Sequence, residues 1–425
     1  MDGGRGVAYG PGMTEQQASA PHRVVIAGAG VAGLEALIAL RRLAGERVAT
    51  TLLAPTPEYL VRALSVQDPF ARPSPRRYLL QRVAADHGAE FVQDGLAEVD
   101  PAQERVTTTS GAHLPYDSLL VAIGARPHPA FDRVITFRGL QDAEAMHGLV
   151  EDLEGGYSQR IAFVVPPGIT WPLPLYELAM MAAERAYGLN RKVQLTLVTA
   201  EDKPLGVFGS EASASVAESL VEAGVTVVTG ANVREVVNGE VVDRSGEVIV
   251  RGERIVALPR LHGPAVAGLE ADANGFLSVD EEGRVTGTSS VFAAGDGTTF
   301  PIKQGGIAAQ QAGAVSCAIA RRAGADVEAR PFRPVLRAKL LTGSRSKFLR
   351  QAAGDGGQEP SSDVSDHSLW WPPTKVAAPY LSPYLEGLDE GASGASGKQA
   401  SGPGSAAPKS HAEGDPSGGI ELLGR

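Results

Sequence analysis

The chain has 425 residues, of which 43% are hydrophobic and 21% are charged, values that are ordinary for a globular protein. Its formal net charge is -10 at pH 7, so it lacks the overall positive charge with which proteins displace counterions from nucleic acid. We therefore expect no nucleic-acid partner. The length allows two or three domains with an ample core.

The single cysteine, Cys317, excludes an internal disulfide, a CxxC pair and a zinc site built from thiolates. The eight histidines show no spacing typical of metal ligands, so we predict no metal. The first twenty residues lack the apolar core of a signal peptide, and no apolar run reaches the roughly 18 residues that a spanning helix needs. The sequence predicts a cytoplasmic protein, either free or resting on the surface of a membrane.

The first predicted element is a strand–loop–helix unit, VVIAGAGVAGLEAL, with three glycines spaced as G-x-G-x-x-G. Gly28 permits the tight turn, Gly30 lets the backbone approach a pyrophosphate, and Gly33 lets the helix lie close to the sheet. The N-terminus of the helix then offers unpaired N–H groups and a partial positive charge to the phosphates. The pattern predicts a dinucleotide site formed by Gly28, Ala29, Gly30, Val31, Ala32 and Gly33.

The second strand of this unit, TTLLAP, departs from the usual pattern. It ends at Ala54, where an acidic residue usually holds a ribose hydroxyl. Glu58 is the nearest acid, but it lies further along the loop. We therefore expect water or a backbone group to hold that ribose.

A second strand–helix–strand unit runs from about residue 160 to residue 229, and its loop differs from the first. Residues 166–171 read PPGITW, where a dinucleotide site usually carries three glycines. Proline has no N–H to donate and fixes φ, and Trp171 adds bulk where a phosphate would approach. Pro172 and Pro174 predict that the helix begins near Leu175. We interpret the loop as a lost nicotinamide site, and binding of NAD(P)H in an unusual manner stays open.

Short alternating strands with glycine turns follow over residues 233–258 and predict a small antiparallel sheet. The stretch VFAAGDGTTFPIKQGG comes next, with a strand that ends in Gly295-Asp296 and a helix that begins near Gln304. Together with the glycine loop and LLVAIGARP at residues 119–127, it resembles the two-dinucleotide-domain FAD-dependent oxidoreductases of the pyridine nucleotide-disulfide superfamily. Within that superfamily the motifs are most similar to type II NADH dehydrogenases and sulfide:quinone oxidoreductases.

The resemblance implies bound FAD, with Asp296 bonding the ribityl chain and the helix near Gln304 directed at the flavin. Lys303 is the candidate catalytic residue, because its charge would stabilise the reduced ring; a solvated lysine at a helix start is an equally weighted alternative. Beyond the glycine loop, the expected cofactor contacts are Ala97, Ala122, Ile123, Gly124, Ala125, Gly295, Asp296, Gln304 and Gly305.

The resemblance also implies an α/β fold of two Rossmann-like domains with parallel sheets and small antiparallel sheets. A disordered N-terminus, residues 1–20, precedes an FAD-binding domain at 21–145 and 264–325, with the second domain inserted at 146–263. A C-terminal cap at 326–385 contains VLRAKLLTG, predicted to be a strand, and a linker at about 354–366. The aromatic stretch LWWPPTKVAAPYLSPYL is interpreted as packing over the FAD domain, with a membrane-contacting remnant as the alternative. The glycine- and serine-rich tail, residues 386–425, is predicted to be disordered.

Three functions fit these motifs. The leading hypothesis is an FAD-dependent oxidoreductase that passes electrons from an unidentified donor to a quinone or protein acceptor. The alternatives are an NAD(P)H-dependent flavin oxidoreductase and a non-catalytic, flavin-bound interaction protein. Cys317 is expected to be a core residue, so the dithiol chemistry of related enzymes is not implied. A homodimer stays open.

Overall fold

The computed structural model of the chain describes residues 20–71, 76–352 and 361–399. The described residues up to Pro383 form one compact unit, and those from Tyr384 belong to a second. The segments predicted to be disordered lie outside the described residues at 1–19 and from 400 onward. The division of the chain into an FAD domain, an inserted domain and a cap stays a prediction.

The helices within the described ranges are α1 (Val31–Ala44), α2 (Leu80–Asp86), α3 (Ala143–Gly155), α4 (Leu173–Gly188), α5 (Ser210–Glu222), α6 (Gly305–Arg322) and α7 (Leu381–Gln399). Short 3-10 helices span Gly45–Arg47, Arg62–Phe70, Leu140–Asp142 and Gly206–Phe208.

The strands are β1 (His22–Ala27), β2 (Val48–Leu53), β3 (Glu58–Leu60), β4 (Arg77–Leu79), β5 (Glu90–Val92), β6 (Leu96–Asp100), β7 (Arg105–Thr108), β8 (His113–Pro115), β9 (Ser118–Val121), β10 (Arg126–His128), β11 (Ile135–Thr136), β12 (Arg160–Val164), β13 (Gln194–Val198), β14 (Val225–Val228), β15 (Val233–Val237), β16 (Glu240–Asp243), β17 (Val248–Arg251), β18 (Arg254–Ala257), β19 (Arg260–His262), β20 (Val291–Ala293), β21 (Val335–Leu341), β22 (Ser346–Ala352) and β23 (Ser361–Ser365).

Two five-stranded parallel sheets confirm the predicted α/β fold. The first has the strand order β20-β9-β1-β2-β5 and the second the order β11-β18-β12-β13-β14. Their strands are continuous apolar runs, such as Val24–Ala27, because both faces of a parallel sheet are covered. In each sheet the chain leaves the central strand, β1 or β12, where the strand order reverses, so both loops lie at the edge where such folds bind ligands.

The predicted antiparallel sheet is shorter than expected. Strands β15, β16 and β17 form it, but residues 254–257, which the alternating pattern assigned to it, form β18 and pair in parallel with β12. Ile255, Val256 and Ala257 are all buried, so this strand joins the core of the second sheet. A run of consecutive apolar residues, rather than alternation, distinguishes it from its neighbours.

Helix α4 begins two residues before the position that its prolines predicted. Pro172 is the N-cap and Leu173 the first helical residue, so Pro174 lies within the first turn. Proline is tolerated there because the N–H groups of the first turn have no partner within the helix. Because the prolines were expected to delay the helix, its start was predicted two residues too late.

The C-terminal region contains more regular structure than the sequence indicated. The predicted strand at VLRAKLLTG is β21, and it joins β22 and β23 in an antiparallel sheet. Residues 361–365, placed in a linker by the sequence, form β23, whereas residues 353–360 lie outside the described part of the chain. The prediction of disorder from residue 386 is wrong as far as residue 399, because α7 continues to Gln399.

Residues 374–382, which we call the C-terminal strap, are held by a buried ion pair. Lys375 Nζ contacts Glu177 Oε1 of α4, and their side chains are 7% and 1% exposed. The same ammonium donates to the carbonyl oxygen of Lys339 at 2.6 Å, and the same carboxylate accepts the N–H of Leu341 at 2.8 Å. The pair thus joins α4, β21 and the strap.

A second buried carboxylate, Glu35 of α1, holds the other end of the strap. It accepts the N–H of Tyr380 at 3.1 Å and that of Leu381 at 2.7 Å, which places a carboxylate at the start of α7. Burial raises the pKa of Glu35 from 4.5 to about 7, and the two backbone donors oppose the rise. Between these anchors, Val376 lies against Gly305 at the start of α6.

The Lys375→Met variant should lower the free energy of unfolding by about 3–5 kcal/mol, because it leaves the Glu177 carboxylate buried without its cation. The double variant Lys375→Met/Glu177→Gln should recover most of that loss, since the amide oxygen still accepts from Leu341. Urea denaturation measures both. A single variant as stable as the unmodified chain would show that the pair contributes nothing to the strap.

Glu35 predicts a pH dependence of stability. Because its pKa in the folded chain lies above the value of 4.5 that it has when unfolded, its contribution to stability is complete at low pH. That contribution, up to about 3 kcal/mol, is lost as the pH rises from about 4.5 to about 7. Unfolding free energies of the unmodified chain and Glu35→Gln, measured between pH 5 and 8, should therefore converge at low pH and differ in slope. Parallel curves would contradict the shift.

Candidate functional site

Three loops that the sequence singled out meet at one edge of the first sheet. A Cβ atom built on Gly28 would lie 2.3 Å from the Ala122 carbonyl oxygen, so the glycine loop touches the turn after β9. A Cβ on Gly295 would lie 3.4 Å from Ala32 at the start of α1. A Cβ on Gly305 would lie 3.5 Å from Val31. The structure therefore brings the three motifs together around the N-termini of α1 and α6.

The glycine loop has the geometry that its spacing predicted. Gly28 has φ +108° and its N–H donates to Leu53, while Gly33 packs so closely that a Cβ would lie 1.8 Å from the Gly28 carbonyl oxygen. Gly30 is different, because no protein atom lies within 4 Å of a Cβ placed there. Its backbone faces open space at the N-terminus of α1, the direction from which a phosphate would approach.

Asp296 lies at the end of β20, next to Gly295, whose φ is +84°. Burial raises the pKa of its carboxyl, and the charges of Lys303 and Arg62 oppose the rise. Among the described residues its carboxylate has no hydrogen-bond partner, although the residue is half-buried. This half-buried carboxylate is therefore available to a ligand or to solvent.

Lys303 is not a freely solvated lysine. Its Nζ donates to the Thr298 carbonyl oxygen at 2.5 Å and lies 4.0 Å from the centre of the Phe276 ring. Burial lowers its pKa, while the carboxylates of Asp296 and Asp272 act in the opposite direction. The lysine is thus held in the same loop as Asp296, on the approach to the N-terminus of α6.

Two glutamines fix the backbone of this site. Gln304 is the N-cap of α6: its side chain accepts from Ile307 at 2.8 Å and donates to the Arg337 carbonyl oxygen at 2.8 Å. Its side chain is therefore occupied, and only the backbone of Gln304 and Gly305 can face a cofactor. Gln311 accepts the Gly295 N–H at 2.7 Å and so fixes the turn before Asp296.

Gln310, the turn after β9 and Ala97 lie in three different surroundings. Gln310 exchanges hydrogen bonds with both backbone groups of Val335. In the turn after β9, Ile123 is 38% exposed and Gly124 has φ +74°, so the chain turns outward before Ala125. Ala97 lies at a bulge in β6, where that strand pairs with β7.

Two side chains of the second loop pack against the protein rather than facing a ligand. Ile169 and Trp171 pack against the main hydrophobic core, and the Trp171 ring meets Phe208 edge to face at 5.9 Å. Thr170 donates to the Pro301 carbonyl oxygen at 2.5 Å, which joins this loop to the segment just before Lys303. These contacts pack part of the loop, while Gly168 and Thr170 stay exposed.

The two helix N-termini differ in the donors they offer. In α1 the N–H groups of Val31, Ala32 and Gly33 precede the first intrahelical hydrogen bond, which Leu34 donates to Gly30. In α4 the first three residues leave only the N–H of Leu173, because Pro174 has none and Leu175 donates to Pro172. The first loop offers three donors to a phosphate and the second offers one.

Glu201, which the sequence analysis did not consider, follows β13 where a nicotinamide domain carries its ribose-binding acid. Its carboxylate accepts the hydroxyl of Tyr176 at 2.6 Å and that of Thr199 at 3.0 Å. Burial raises its pKa, and these hydroxyls oppose the rise. An acidic residue directly after an apolar strand could have been recognised from the sequence, but its hydrogen bond to Tyr176 of α4 could not.

Cys317 is buried in α6, and burial raises the pKa of its thiol. In the described ranges no group of three or more His, Cys, Asp or Glu side chains is arranged to hold a metal ion. Within the same ranges no helix combines the length and the hydropathy that crossing a bilayer requires.

Comparisons with known proteins agree with this geometry. The model of the pyridine nucleotide-disulphide oxidoreductase family matches residues 22–315. An NADH dehydrogenase-like protein of Mycobacterium tuberculosis is 29% identical over 302 residues, which are 64% of this chain and 72% of that protein. The sulfide:quinone oxidoreductase of Aquifex aeolicus has a TM-score of 0.73 at 20% identity, covering 81% of this chain and 87% of its own. A ferredoxin reductase of Rhodopseudomonas palustris has a TM-score of 0.58 at 20% identity, covering 79% and 83%.

The chain belongs to the pyridine nucleotide-disulphide oxidoreductase family, because that model spans more than half of it. The resemblance inferred from the motifs is thereby confirmed, and the chain is an oxidoreductase with the fold of the FAD-dependent enzymes. The solved structures share its fold.

Gly30→Ala should weaken FAD binding by at least about tenfold, because the added methyl group enters the open space before α1 without touching protein. The apoprotein should keep its melting temperature. Gly148→Ala, which also adds a methyl group in open space but within α3, is the matched control and should bind FAD normally. An unchanged FAD affinity in Gly30→Ala would place the phosphates elsewhere.

Proposed function

We propose that the protein is an FAD-dependent oxidoreductase that uses one dinucleotide site. The observation that carries the proposal is the contrast between the loops: three free N–H groups and open space at Gly30, against one N–H group and a packed Trp171 at α4. A flavin supplies reversible uptake of two electrons and a proton. The second domain keeps the fold of a nucleotide-binding unit without the glycine loop that would hold a pyrophosphate.

The residues of the first site fit FAD. Glycine-loop N–H groups would hold the pyrophosphate, and the unpartnered carboxylate of Asp296 would accept a ribityl hydroxyl. Gln311 holds the turn that aims this carboxylate, and Gly28 lets the turn after β9 lie against the glycine loop.

Two features of the chain would favour the reduced cofactor. The N-terminus of α6 carries a partial positive charge, worth up to about 2 kcal/mol beside an anion in a partly buried site. Lys303 adds a cation that already lies near Asp296 and is held by the Thr298 carbonyl oxygen. Lys303 is our candidate for the group that stabilises the added negative charge.

No motif in the chain identifies the electron donor. The packing of Ile169 and Trp171 argues against a nicotinamide at the second loop, and the tie between Glu201 and Tyr176 removes the acid that would hold its ribose. Cys317 is the only cysteine and is buried, so a dithiol relay is not available. For the acceptor we propose a quinone or an electron-carrier protein, which are the partners named for the similar sulfide:quinone oxidoreductase and ferredoxin reductase.

A second candidate is an NAD(P)H-dependent oxidoreductase. The similarity to an NADH dehydrogenase-like protein favours it, and so does the acid that persists at Glu201. For a dinucleotide to bind in the usual way, the Tyr176 hydroxyl would have to release this carboxylate and Trp171 would have to leave the core.

An anaerobic reduction series separates the candidates. The purified protein should be yellow, with absorbance near 450 nm. Dithionite should bleach it, and a quinone analogue should restore the colour, whereas NADH, NADPH and sulfide should leave it oxidised. Rapid bleaching by NADH would establish the second candidate. A flavin that dithionite reduces but that no acceptor reoxidises would support a non-catalytic role.

A further inference from the structure

A positively charged face lies on the two-stranded ribbon of β10 and β19. Arg126 pairs with His262 and His128 pairs with Arg260 across this antiparallel ribbon. Directly paired residues point to the same side, as do residues two apart in one strand, so all four side chains share one face. The rings of His128 and His262 confirm it, with centroids 4.6 Å apart.

This face is free of internal partners. All four residues are exposed, and neither Arg126 nor Arg260 forms an ion pair with any residue that the structure describes. Most other arginines in the described ranges that extend from strands, such as Arg160, Arg251 and Arg254, are paired with a carboxylate. Two guanidinium groups thus stand together beside two imidazoles, without a carboxylate partner among the described residues, on a protein whose net charge is -10.

The ribbon begins beside the proposed cofactor site. Arg126 follows Gly124 and Ala125, the turn that we assign to the cofactor. Pro264, two residues beyond His262, lies 3.4 Å from a Cβ built on Gly297, and the Gly124 carbonyl oxygen lies 3.1 Å from the same point. Gly297 is the residue after Asp296. A partner held on the ribbon would therefore dock next to the site.

From this arrangement we propose that the ribbon face docks an acidic electron-carrier protein, which is the missing electron donor. The proposal rests on the function proposed above and adds the class of its donor. The face is a flat ribbon, whereas small molecules bind in concave pockets, so a protein with clustered carboxylates fits it better than a small anion. Opposite charges would also steer such a partner to this edge of the protein.

The electron balance is simple. Two reduced carriers each lose one electron, and the bound flavin gains both electrons together with one proton from solvent. No nicotinamide or dithiol is needed, which agrees with the packed side chains of the second loop and the single buried cysteine.

The test measures binding of a reduced, acidic [2Fe–2S] ferredoxin, used as the probe, to the flavin-loaded full-length protein by calorimetry at low and high salt. Arg126→Gln/Arg260→Gln removes two charges from the face. Arg47→Gln/Lys192→Gln removes two exposed charges elsewhere and is the matched control. The ribbon variant should bind at least about tenfold more weakly at low salt, and the control should bind normally. Added salt should weaken binding to the unmodified protein and to the control more than to the ribbon variant.

Equal binding by the ribbon variant and the unmodified protein would overturn the proposal, as would a ribbon variant whose only change is its oligomeric state, which would make a second copy of the chain the occupant. Dithionite reduction is run in parallel on every variant. A colourless preparation would refute the proposed flavin function itself, whereas yellow variants with unaltered ferredoxin binding would refute only the docking face.

Discussion

A phosphate group can approach a helix N-terminus only where backbone N–H groups are unpaired and no side chain stands in the way. The protein contains two loops at equivalent places in two similar sheets, and they meet this constraint differently. Around α1 the glycines leave three donors and open space. Around α4 the prolines remove donors, and Trp171 packs into the core. We therefore propose one dinucleotide site, at the N-terminus of α1.

The rest of the molecule holds the open site in place. Helix α6 points its N-terminus at the same edge, and Gln304 caps it while bonding to Arg337. The C-terminal strap then passes over the start of this helix, anchored by Glu177 at one end and Glu35 at the other. Both carboxylates are buried, so their removal would leave the strap with unpaired polar groups. Next to the strap, the rings of Trp370 and Phe348 also pack edge to face, with their centroids 5.1 Å apart.

Motifs with strict backbone requirements could be predicted from the sequence. Gly28, Gly33 and Gly295 occupy positions where a Cβ atom or a negative φ would not fit, so their spacing predicted the backbone geometry of the first loop and of the turn before Asp296. That the second loop offers fewer N–H donors could also be predicted, since proline lacks an N–H wherever it stands; loss of nicotinamide binding there stays a prediction. The family match and the two parallel sheets confirm the fold inferred from these motifs.

Features that depend on distant partners could not be predicted. Glu201 was readable as an acid after a strand, but its hydrogen bond to Tyr176 requires knowing how α4 lies on β13. Residues 386–399 have the composition of a disordered tail, yet α7 runs through them from an N-terminus held by Glu35, more than 340 positions away in sequence. Likewise, Arg126 and Arg260 form one charged face only because β10 and β19 pair in that register.

The most direct test of the central claim is the number and kind of dinucleotides that the apoprotein binds. Calorimetric titration of the flavin-free chain should give one FAD per chain and no heat of binding for NADH, before or after the FAD site is filled. A second saturable site for NADH in the FAD-loaded protein would contradict this claim. The loop at residues 166–171 would then hold phosphates despite its prolines and Trp171.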